Sequence, residues 1–314
     1  MFSIHQYNSL KEQPIVSVWM LAYNHENFIK ECLFSVFSQI TKFKFEVIIG
    51  DDCSIDSTYE IIQEITENLN IQITTVQSLE NYWNGLRTPL INELFKLTKG
   101  KYTALCECDD YWTDPYKLQK QVDYLEANPD CSFCFTDCQI ERKKTLQEIH
   151  PNFKRENQFT GIDFADQTGS IAQTCTWLVR RECIQNLPNW VTSSYTGDWC
   201  MQVHFSKFGK GGYIPEKTAV YRIHDDGMWS KLSEFEGWHN NLKFYKLAHQ
   251  QLCAKNSKKR LKDRIKKTIV EALELANIQA NKSEIRKWLW IKLTSNPFSS
   301  VQQSIHSFKL LLVF

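Results

Sequence analysis

The segment YTALCECDDYW, residues 102–112, joins an apolar, strand-like run directly to three carboxylates. Glu107, Asp109 and Asp110 fall within four residues of one another, immediately after that run. Like charges at such short range raise one another's pKa, so the cluster is costly unless a cation lies among them. Oxygen ligands of this kind suit Mg²⁺ or Mn²⁺ holding a phosphate. By itself the segment is compatible with a turn at a strand end or with a metal site.

Length and composition limit the classes of protein to consider. The 314 residues are enough for a large domain with an appendage, and the net charge of +1 does not indicate a nucleic-acid partner. No apolar run reaches the roughly 18 residues that span a bilayer, and the first residues lack a secretory signal core. We therefore expect a cytoplasmic protein with reduced cysteines. A CxC…CxxC zinc site is the less favoured alternative, because its cysteines lie in strand-like segments: Cys106, Cys108, Cys131 and Cys134.

Strand-like and helical patterns alternate through the first half of the chain. Apolar runs at residues 15–22, 45–50, 71–76 and 102–106 predict four strands. A helical pattern follows each strand, with Ser54 or Asp56 as the N-cap of the second helix and Asp114-Pro115 opening the fourth. This alternation predicts an α/β fold with a Rossmann-like, mostly parallel sheet flanked by helices.

Polar residues follow three of the predicted strands, as Tyr23-Asn24, Asp51-Asp52 and Glu107–Asp110. The carboxyl ends of parallel strands lie at one edge of a sheet, and ligands bind beyond that edge. The three groups should therefore converge there. This convergence is the main argument from the residues themselves for an active site.

The second half of the chain is patterned less regularly. Strands are predicted at residues 131–140, 174–180 and 218–223, and residues 142–166 are expected to be irregular. Asp198 begins a helical stretch, and a C-terminal helical extension starts near residue 232, which divides the chain into domains 1–231 and 232–314. The extension carries a basic cluster: Lys258, Lys259, Arg260, Lys262, Arg264, Lys266 and Lys267.

Several of these side chains can carry chemistry, and each also has an ordinary structural explanation. Asp198 can act as a general base or simply cap its helix. His224 can bind a metal or a phosphate oxygen, or be a loop histidine. Asp51 and Asp52 can accept from a base or a ribose, or favour a helix N-terminus. A GxGxxG fingerprint, a P-loop, a GxSxG elbow and an HExxH motif are absent from the sequence, which argues against the corresponding enzyme classes.

Five motifs in order resemble the family 2 glycosyltransferases of GT-A fold, of the bacterial surface-polysaccharide type. They are VSVWMLAYNHENFIKECLFSVFSQ, FEVIIGDDCSIDSTYEII, GKYTALCECDDYWTDPYKLQKQVDYL, TGDW at residues 196–199 and YRIHDDGMWS at residues 221–230. The resemblance covers about residues 14–231. It implies an inverting transferase that uses a nucleoside-diphosphate sugar, with UDP as the expected nucleotide, and Mn²⁺ or Mg²⁺.

The resemblance also implies roles for single residues. Asp52, with Asp51 beside it, resembles the nucleobase contact, and Tyr23 and Asn24 resemble further nucleotide contacts. Asp109, Asp110 and His224 resemble the metal and diphosphate site, and Asp109 also contacts the donor. Asp198 resembles the catalytic base. Glu107 stands where the family usually has aspartate, so its contact with the metal stays open. The loop after His224 resembles a mobile cover.

Two other functions are weighed against this one. A nucleotidyltransferase of related fold would need a Gly-rich, basic loop where the chain has AYNHENF. A non-catalytic sugar-nucleotide-binding module is disfavoured because Asp109, Asp110, Asp198 and His224 are all present. The acceptor implied is a saccharide or a lipid-linked saccharide. The basic extension suggests a second partner, the inner face of the plasma membrane. Two apolar stretches are candidates for its interfacial face: residues 288–291 (Trp288, Leu289, Trp290 and Ile291) and the tail at residues 310–314.

Overall fold

A mixed sheet runs through the first 224 residues of the chain. The computed structural model describes residues 1–8, 12–67, 71–82, 88–148, 158–167 and 170–295. Within these ranges the strands are β1 (Phe2–Tyr7), β2 (Val16–Ala22), β3 (Phe45–Asp51), β4 (Gln72–Ser78), β5 (Tyr102–Glu107), β6 (Tyr111–Trp112), β7 (Cys131–Arg142), β8 (Thr145–Glu148), β9 (Gln158–Phe159), β10 (Trp177–Arg180) and β11 (Lys210–Ile223). The helices are α1 (Ile29–Phe37), α2 (Thr58–Thr66), α3 (Thr88–Leu97), α4 (Lys117–Ala127), α5 (Gly161–Ala165), α6 (Arg181–Ile184), α7 (Asn189–Thr192), α8 (Gly197–Phe205), α9 (Glu234–Gln251), α10 (Lys255–Ile278) and α11 (Lys282–Ser295).

The four strands predicted in the first half form a parallel block in the order β4-β3-β2-β5. Their side chains explain the helices on both faces. Val18 and Met20 belong to the same buried core cluster as Leu33 of α1. Trp19 faces the other way, and its Nε1 donates to Thr98 Oγ1 at 2.8 Å, just after α3. The predicted α/β class with a helix-flanked sheet is therefore confirmed.

Strand β10 runs in the opposite direction to both of its neighbours in the sheet. It pairs antiparallel with β5 on one side and with β7 on the other, and β11 runs parallel to β7. Because β5 and β7 are both antiparallel to β10, they are parallel to each other, and β11 is therefore parallel to β5 as well. The carboxyl end of β11, which carries Arg222 and His224, therefore lies at the same edge as the turn after β5.

The structure corrects several local predictions. Residues 142–166 are not wholly irregular, since β8, β9 and α5 form within their described part. The predicted strand at 174–180 begins with a 3₁₀ turn, Thr174–Thr176, and the predicted strand at 218–223 is the end of the longer β11. Helix α2 has Ser57 at its N-cap, although Asp56 Oδ1 still accepts from the Thr58 N–H at 3.0 Å. The edge strand β1 pairs antiparallel with β4 and was not predicted.

The chain divides into two compact units, Met1–His224 and Asp225–Phe314, close to the boundary predicted at residue 231. The described part of the second unit is helical, as predicted, and α9 begins with a capping box between Ser233 and Glu236. Trp288 and Leu289 are buried in this unit's own core, so they cannot form an interfacial face, whereas Trp290 is exposed. The predicted apolar tail lies outside the described residues. Among the described residues, no helix combines the length and the apolar character needed to cross a membrane.

Candidate active site

Three carboxylates meet at the carboxyl end of β5. Glu107 ends the strand, and Asp109 and Asp110 occupy the turn before β6. One oxygen of each lies within 4.8 Å of the others. Backbone hydrogen bonds hold the turn, because the Cys108 N–H donates to Leu21 O and the Asp110 N–H donates to Glu107 O, both at 2.9 Å. The cluster is thus anchored to β2 and β5.

Asp110 is fully buried and only partly satisfied. Its Oδ1 accepts from the Arg222 N–H at 2.8 Å, whereas its Oδ2 has no hydrogen-bond partner of normal geometry among the described residues. The Cys175 thiol, a weak donor, lies near the carboxylate. Burial raises the pKa of Asp110 well above its usual range, and the charges of Asp109 and Glu107 raise it further. A divalent cation would relieve both effects, because it neutralises crowded charges and gives Oδ2 a partner. The oxygen ligands present therefore fit Mn²⁺ or Mg²⁺.

Asp109 lies between two histidines. Its Oδ2 is 3.2 Å from His224 Nε2 and 3.9 Å from His25 Nε2. Burial by itself would raise the pKa of Asp109, but the hydrogen bond from His224 and the positive potential of both rings outweigh it, so the pKa is lowered. The structure thus brings together Asp109 and His224, as the sequence predicts. It adds His25, which sequence reasoning missed although it follows Tyr23-Asn24 directly.

Arg222 organises this site and was also missed. It is almost fully buried, and its Nη1 donates to the backbone oxygen of Asp109 at 2.9 Å. Its guanidinium pairs with Glu31 and, at 3.5 Å, with Glu141, and it lies 4.3 Å from the ring centre of Tyr111. The available signal was an arginine within an otherwise apolar strand end, which needs buried partners.

The side chains of Asn24 and Asp51 accept hydrogen bonds from neighbouring residues of the protein. Asn24 adopts a left-handed backbone with φ 56°, and its Oδ1 accepts from the Ile55 N–H at 2.9 Å. The carboxylate of Asp51 accepts from the hydroxyl and from the N–H of Ser54. Burial raises the pKa of Asp51, and the bonds from Ser54 partly oppose that shift. Asn24 thus ties the loop after β2 to the loop after β3, and Asp51 closes the latter loop on itself.

Asp52 and Tyr23 lie at the same edge with different surroundings. The Asp52 N–H donates to Ala22 O at 2.9 Å, and its Oδ1 accepts from the Tyr82 N–H at 3.0 Å. Asp52 is buried, and Tyr23 is half-buried in the loop that follows β2. Both predicted residues are therefore at the carboxyl ends of neighbouring parallel strands.

Asp198 lies in the first turn of α8, a helix that packs against β11. Burial raises the pKa of Tyr221 in β11, and the charges of Asp110, Glu107, Asp109 and Asp198 raise it further. The helix that carries Asp198 therefore contacts the strand whose Arg222 N–H donates to Asp110.

In α/β proteins with a mostly parallel sheet, ligands bind beyond the carboxyl ends of the strands, where these carboxylates lie. Comparison with known sequences gives the family. The sequence profile described as glycosyl transferase family 2 matches residues 17–187, more than half of the chain. The chain therefore belongs to glycosyl transferase family 2.

Individual proteins with similar sequences or folds are consistent with that family. An uncharacterized protein of Mycobacterium tuberculosis is 31% identical over 222 residues, covering 68% of this chain and 60% of that protein. The UDP-Glc:alpha-D-GlcNAc-diphosphoundecaprenol beta-1,3-glucosyltransferase WfaP of Escherichia coli is 33% identical over 128 residues, 41% of this chain and 47% of that protein. The chain thus spans about 60% of the length of the first of these relatives.

A solved structure supports the fold. The crystal structure of Staphylococcus aureus TarS 1–349 in complex with UDP-GlcNAc matches with a TM-score of 0.65 and 15% identity, covering 89% of this chain and 81% of that one. At this identity the likeness concerns the fold alone. It bears out the GT-A architecture and the helical C-terminal region predicted from the sequence.

Proposed function

We propose that the chain is an inverting glycosyltransferase that moves a sugar from a nucleoside-diphosphate sugar to a hydroxyl of a saccharide or a lipid-linked saccharide. The observation that carries the proposal is the turn at Asp109 and Asp110. There a buried carboxylate oxygen lacks a partner at the carboxyl edge of the parallel strands, in a chain of family 2. UDP is the expected nucleotide, and the UDP-glucose named for the similar E. coli enzyme supports that choice.

Asp109, Asp110 and His224 would hold a divalent cation, either Mn²⁺ or Mg²⁺. When bound, such a cation acts as a Lewis acid and stabilises the negative charge of a leaving diphosphate. Glu107 is a further candidate ligand, but its Oε2 already accepts from the Thr174 hydroxyl at 2.8 Å. That bond favours a role for Glu107 in orienting its neighbours.

Asp198 is the proposed general base. It takes the proton of the acceptor hydroxyl while the acceptor oxygen attacks the anomeric carbon, and the diphosphate leaves from the opposite face. This in-line geometry inverts the anomeric configuration. The packing of its helix α8 against β11, the strand whose Arg222 N–H donates to Asp110, supports the assignment.

Donor binding is assigned to Tyr23, Asn24, Asp51, Asp52 and Asp109. Among the two aspartates after β3, Asp52 is the better candidate for the nucleobase, because both carboxylate oxygens of Asp51 accept from Ser54. Asn24 and Asp51 then act by shaping the loops that receive the nucleotide. Tyr23 supplies a half-buried ring in the loop after β2.

The second unit is the proposed contact with the inner face of a membrane, where a lipid-linked acceptor would reside. Lys255, Lys259, Lys262 and Lys266 are exposed and spaced by three or four residues, so they share one face of α10. Basic residues near an anionic surface contribute about 1 kcal/mol each. Lys259, Lys262 and Lys266 changed to Glu should abolish co-sedimentation with phosphatidylglycerol vesicles, while Lys30, Lys42 and Lys44 changed to Glu should not. Equal binding by both triple variants would refute the membrane contact.

The transferase proposal is tested by incubating the chain with a panel of nucleoside-diphosphate sugars and Mn²⁺ and measuring the released nucleotide, with and without EDTA. One donor should give a nucleoside diphosphate, and EDTA should stop its release. A nucleotidyltransferase would instead consume a nucleoside triphosphate and a sugar phosphate and release pyrophosphate. A non-catalytic module would bind a nucleotide sugar and release nothing. Either of those outcomes contradicts the proposal.

A further inference from the structure

His25 stands at the centre of the site without an assigned role. It follows the end of β2, and only 14% of its side chain is exposed. Its Nε2 lies 3.9 Å from Asp109 Oδ2, on which His224 Nε2 also converges at 3.2 Å. The two imidazole rings are 6.5 Å apart and almost perpendicular, at 84°. One carboxylate oxygen is thus approached by two imidazole nitrogens from different strand ends.

The backbone around His25 is fixed by its neighbours. The His25 N–H donates to Thr58 Oγ1 at 2.7 Å, and that hydroxyl donates to Asp56 Oδ1 at 2.5 Å. The ring of Phe28 lies 4.8 Å from that of His224, which packs the second histidine against α1's first turn. The backbone position from which His25 reaches Asp109 is therefore fixed by Asp56 and Thr58, which follow β3.

The unpartnered nitrogen of His25 indicates its tautomer. Nδ1 is buried and has no hydrogen-bond partner among the described residues. A hydrogen on Nδ1 would leave a buried donor unsatisfied and would turn the Nε2 lone pair toward a carboxylate. A hydrogen on Nε2 leaves Nδ1 as an unpartnered acceptor, but it directs an N–H, and not a lone pair, at the Asp109 carboxylate. Active-site hydrogen bonds are often long before ligands bind, so 3.9 Å is compatible with a contact that tightens on loading.

We propose that His25 is a positioning residue for the cation site. Its Nε2–H holds Oδ2 of Asp109 and so presents the carboxylate to the cation, for which His224 is a proposed ligand. The inference rests on the proposed function, because it assigns His25 to the cation site of that transferase. It predicts that cation affinity depends on a donor at the Nε2 position and not on an aromatic ring.

The test measures Mn²⁺ binding by the electron paramagnetic resonance signal of the free ion, using the full chain and no sugar donor. His25→Asn places its amide at the Nδ1 position and should weaken Mn²⁺ binding about 10-fold, as for partners that orient metal ligands. His25→Gln extends its amide to the Nε2 position and should retain most of the affinity. His5→Gln, at an exposed histidine in β1, is the matched control and should bind as the wild type does.

Thermal unfolding midpoints of all variants show whether any loss comes from unfolding. Equal Mn²⁺ affinity in His25→Asn and wild type, or equal losses in His25→Asn and His25→Gln, would overturn the inference. Failure of the proposed function looks different: neither the wild type nor His25→Gln would release nucleotide from any donor. If the wild type binds Mn²⁺ and Asp109→Asn does not, while His25→Asn binds normally, only the role of His25 is wrong.

Discussion

The acids after β3 and the acids after β5 are alike in sequence and opposite in their surroundings. Asp51 has both carboxylate oxygens occupied by Ser54 within its own loop. Asp110 is equally buried, yet one of its oxygens has no partner among the described residues and its neighbours are also acidic. An aspartate at a strand end can therefore stabilise a loop or be available to bind a ligand. Its hydrogen bonds in the structure distinguish these two roles.

The residues at this edge of the sheet thus fall into two groups. Asn24 and Asp51 form a scaffold, and Asp109, Asp110 and Asp198 form a reactive part. Asn24 and Asp51 stabilise the loops, so their loss should affect folding more than chemistry. Asp109, Asp110 and Asp198 crowd negative charge, so their loss should affect chemistry more than folding.

Asp198→Asn should lower kcat by about 100- to 10,000-fold, because it removes the proposed general base. The KM for the donor should change little, since Asp198 is assigned to the acceptor. Steady-state assays with the best donor provide both constants. Asp123→Asn, an exposed aspartate of α4, serves as the control, and near-normal turnover by Asp198→Asn would remove the base from the mechanism.

Asp51→Asn and Asp110→Asn should differ in their effects on stability in EDTA. The amide of Asp51→Asn has one acceptor oxygen instead of two, so one of the two bonds from Ser54 is lost and the free energy of unfolding should fall by about 1–3 kcal/mol. Asp110→Asn removes a buried charge beside two others, so its free energy of unfolding should not fall. Urea denaturation measures both. A larger loss in Asp110→Asn than in Asp51→Asn would mean that the scaffold and the reactive part are wrongly assigned.

The pH dependence of unfolding offers a smaller test. A carboxyl whose pKa is raised in the folded state stabilises the fold while it is protonated, and that stabilisation is lost as the pH rises through the folded-state pKa. The pKa of Asp110 is raised mainly by burial. In EDTA, the wild type should therefore lose stability relative to Asp110→Asn as the pH rises from about 4 towards neutrality. Parallel stability curves for the two proteins would contradict this assignment.

Much of the fold could be predicted because apolar periodicity and helix-start signals are local properties. The strands that became β2, β3, β4 and β5 were placed within one or two residues at each end. The insertion of β10 between β5 and β7, and the pairing of β1 with β4, depend on partners far along the chain, which a single sequence does not specify.

The same distinction applies to the site. Strand-end position was enough to predict Asp109, Asp110 and Asp52 at one edge. The engagement of Asp51 by Ser54, the buried pairing of Arg222, and the approach of His25 to Asp109 follow from side-chain contacts between separate loops. Those contacts form only once the sheet has brought the loops together, so residue type and spacing could not reveal them.

In the proposed transferase, the turn after β5, and not the loop after β3, receives the cation and the donor diphosphate. Titration of Mn²⁺ into wild type, Asp109→Asn and Asp51→Asn, followed by the signal of the free ion, distinguishes the two sites. One Mn²⁺ should bind to the wild type and to Asp51→Asn, and binding should be lost in Asp109→Asn. Equal binding by all three proteins, or loss only in Asp51→Asn, would contradict it.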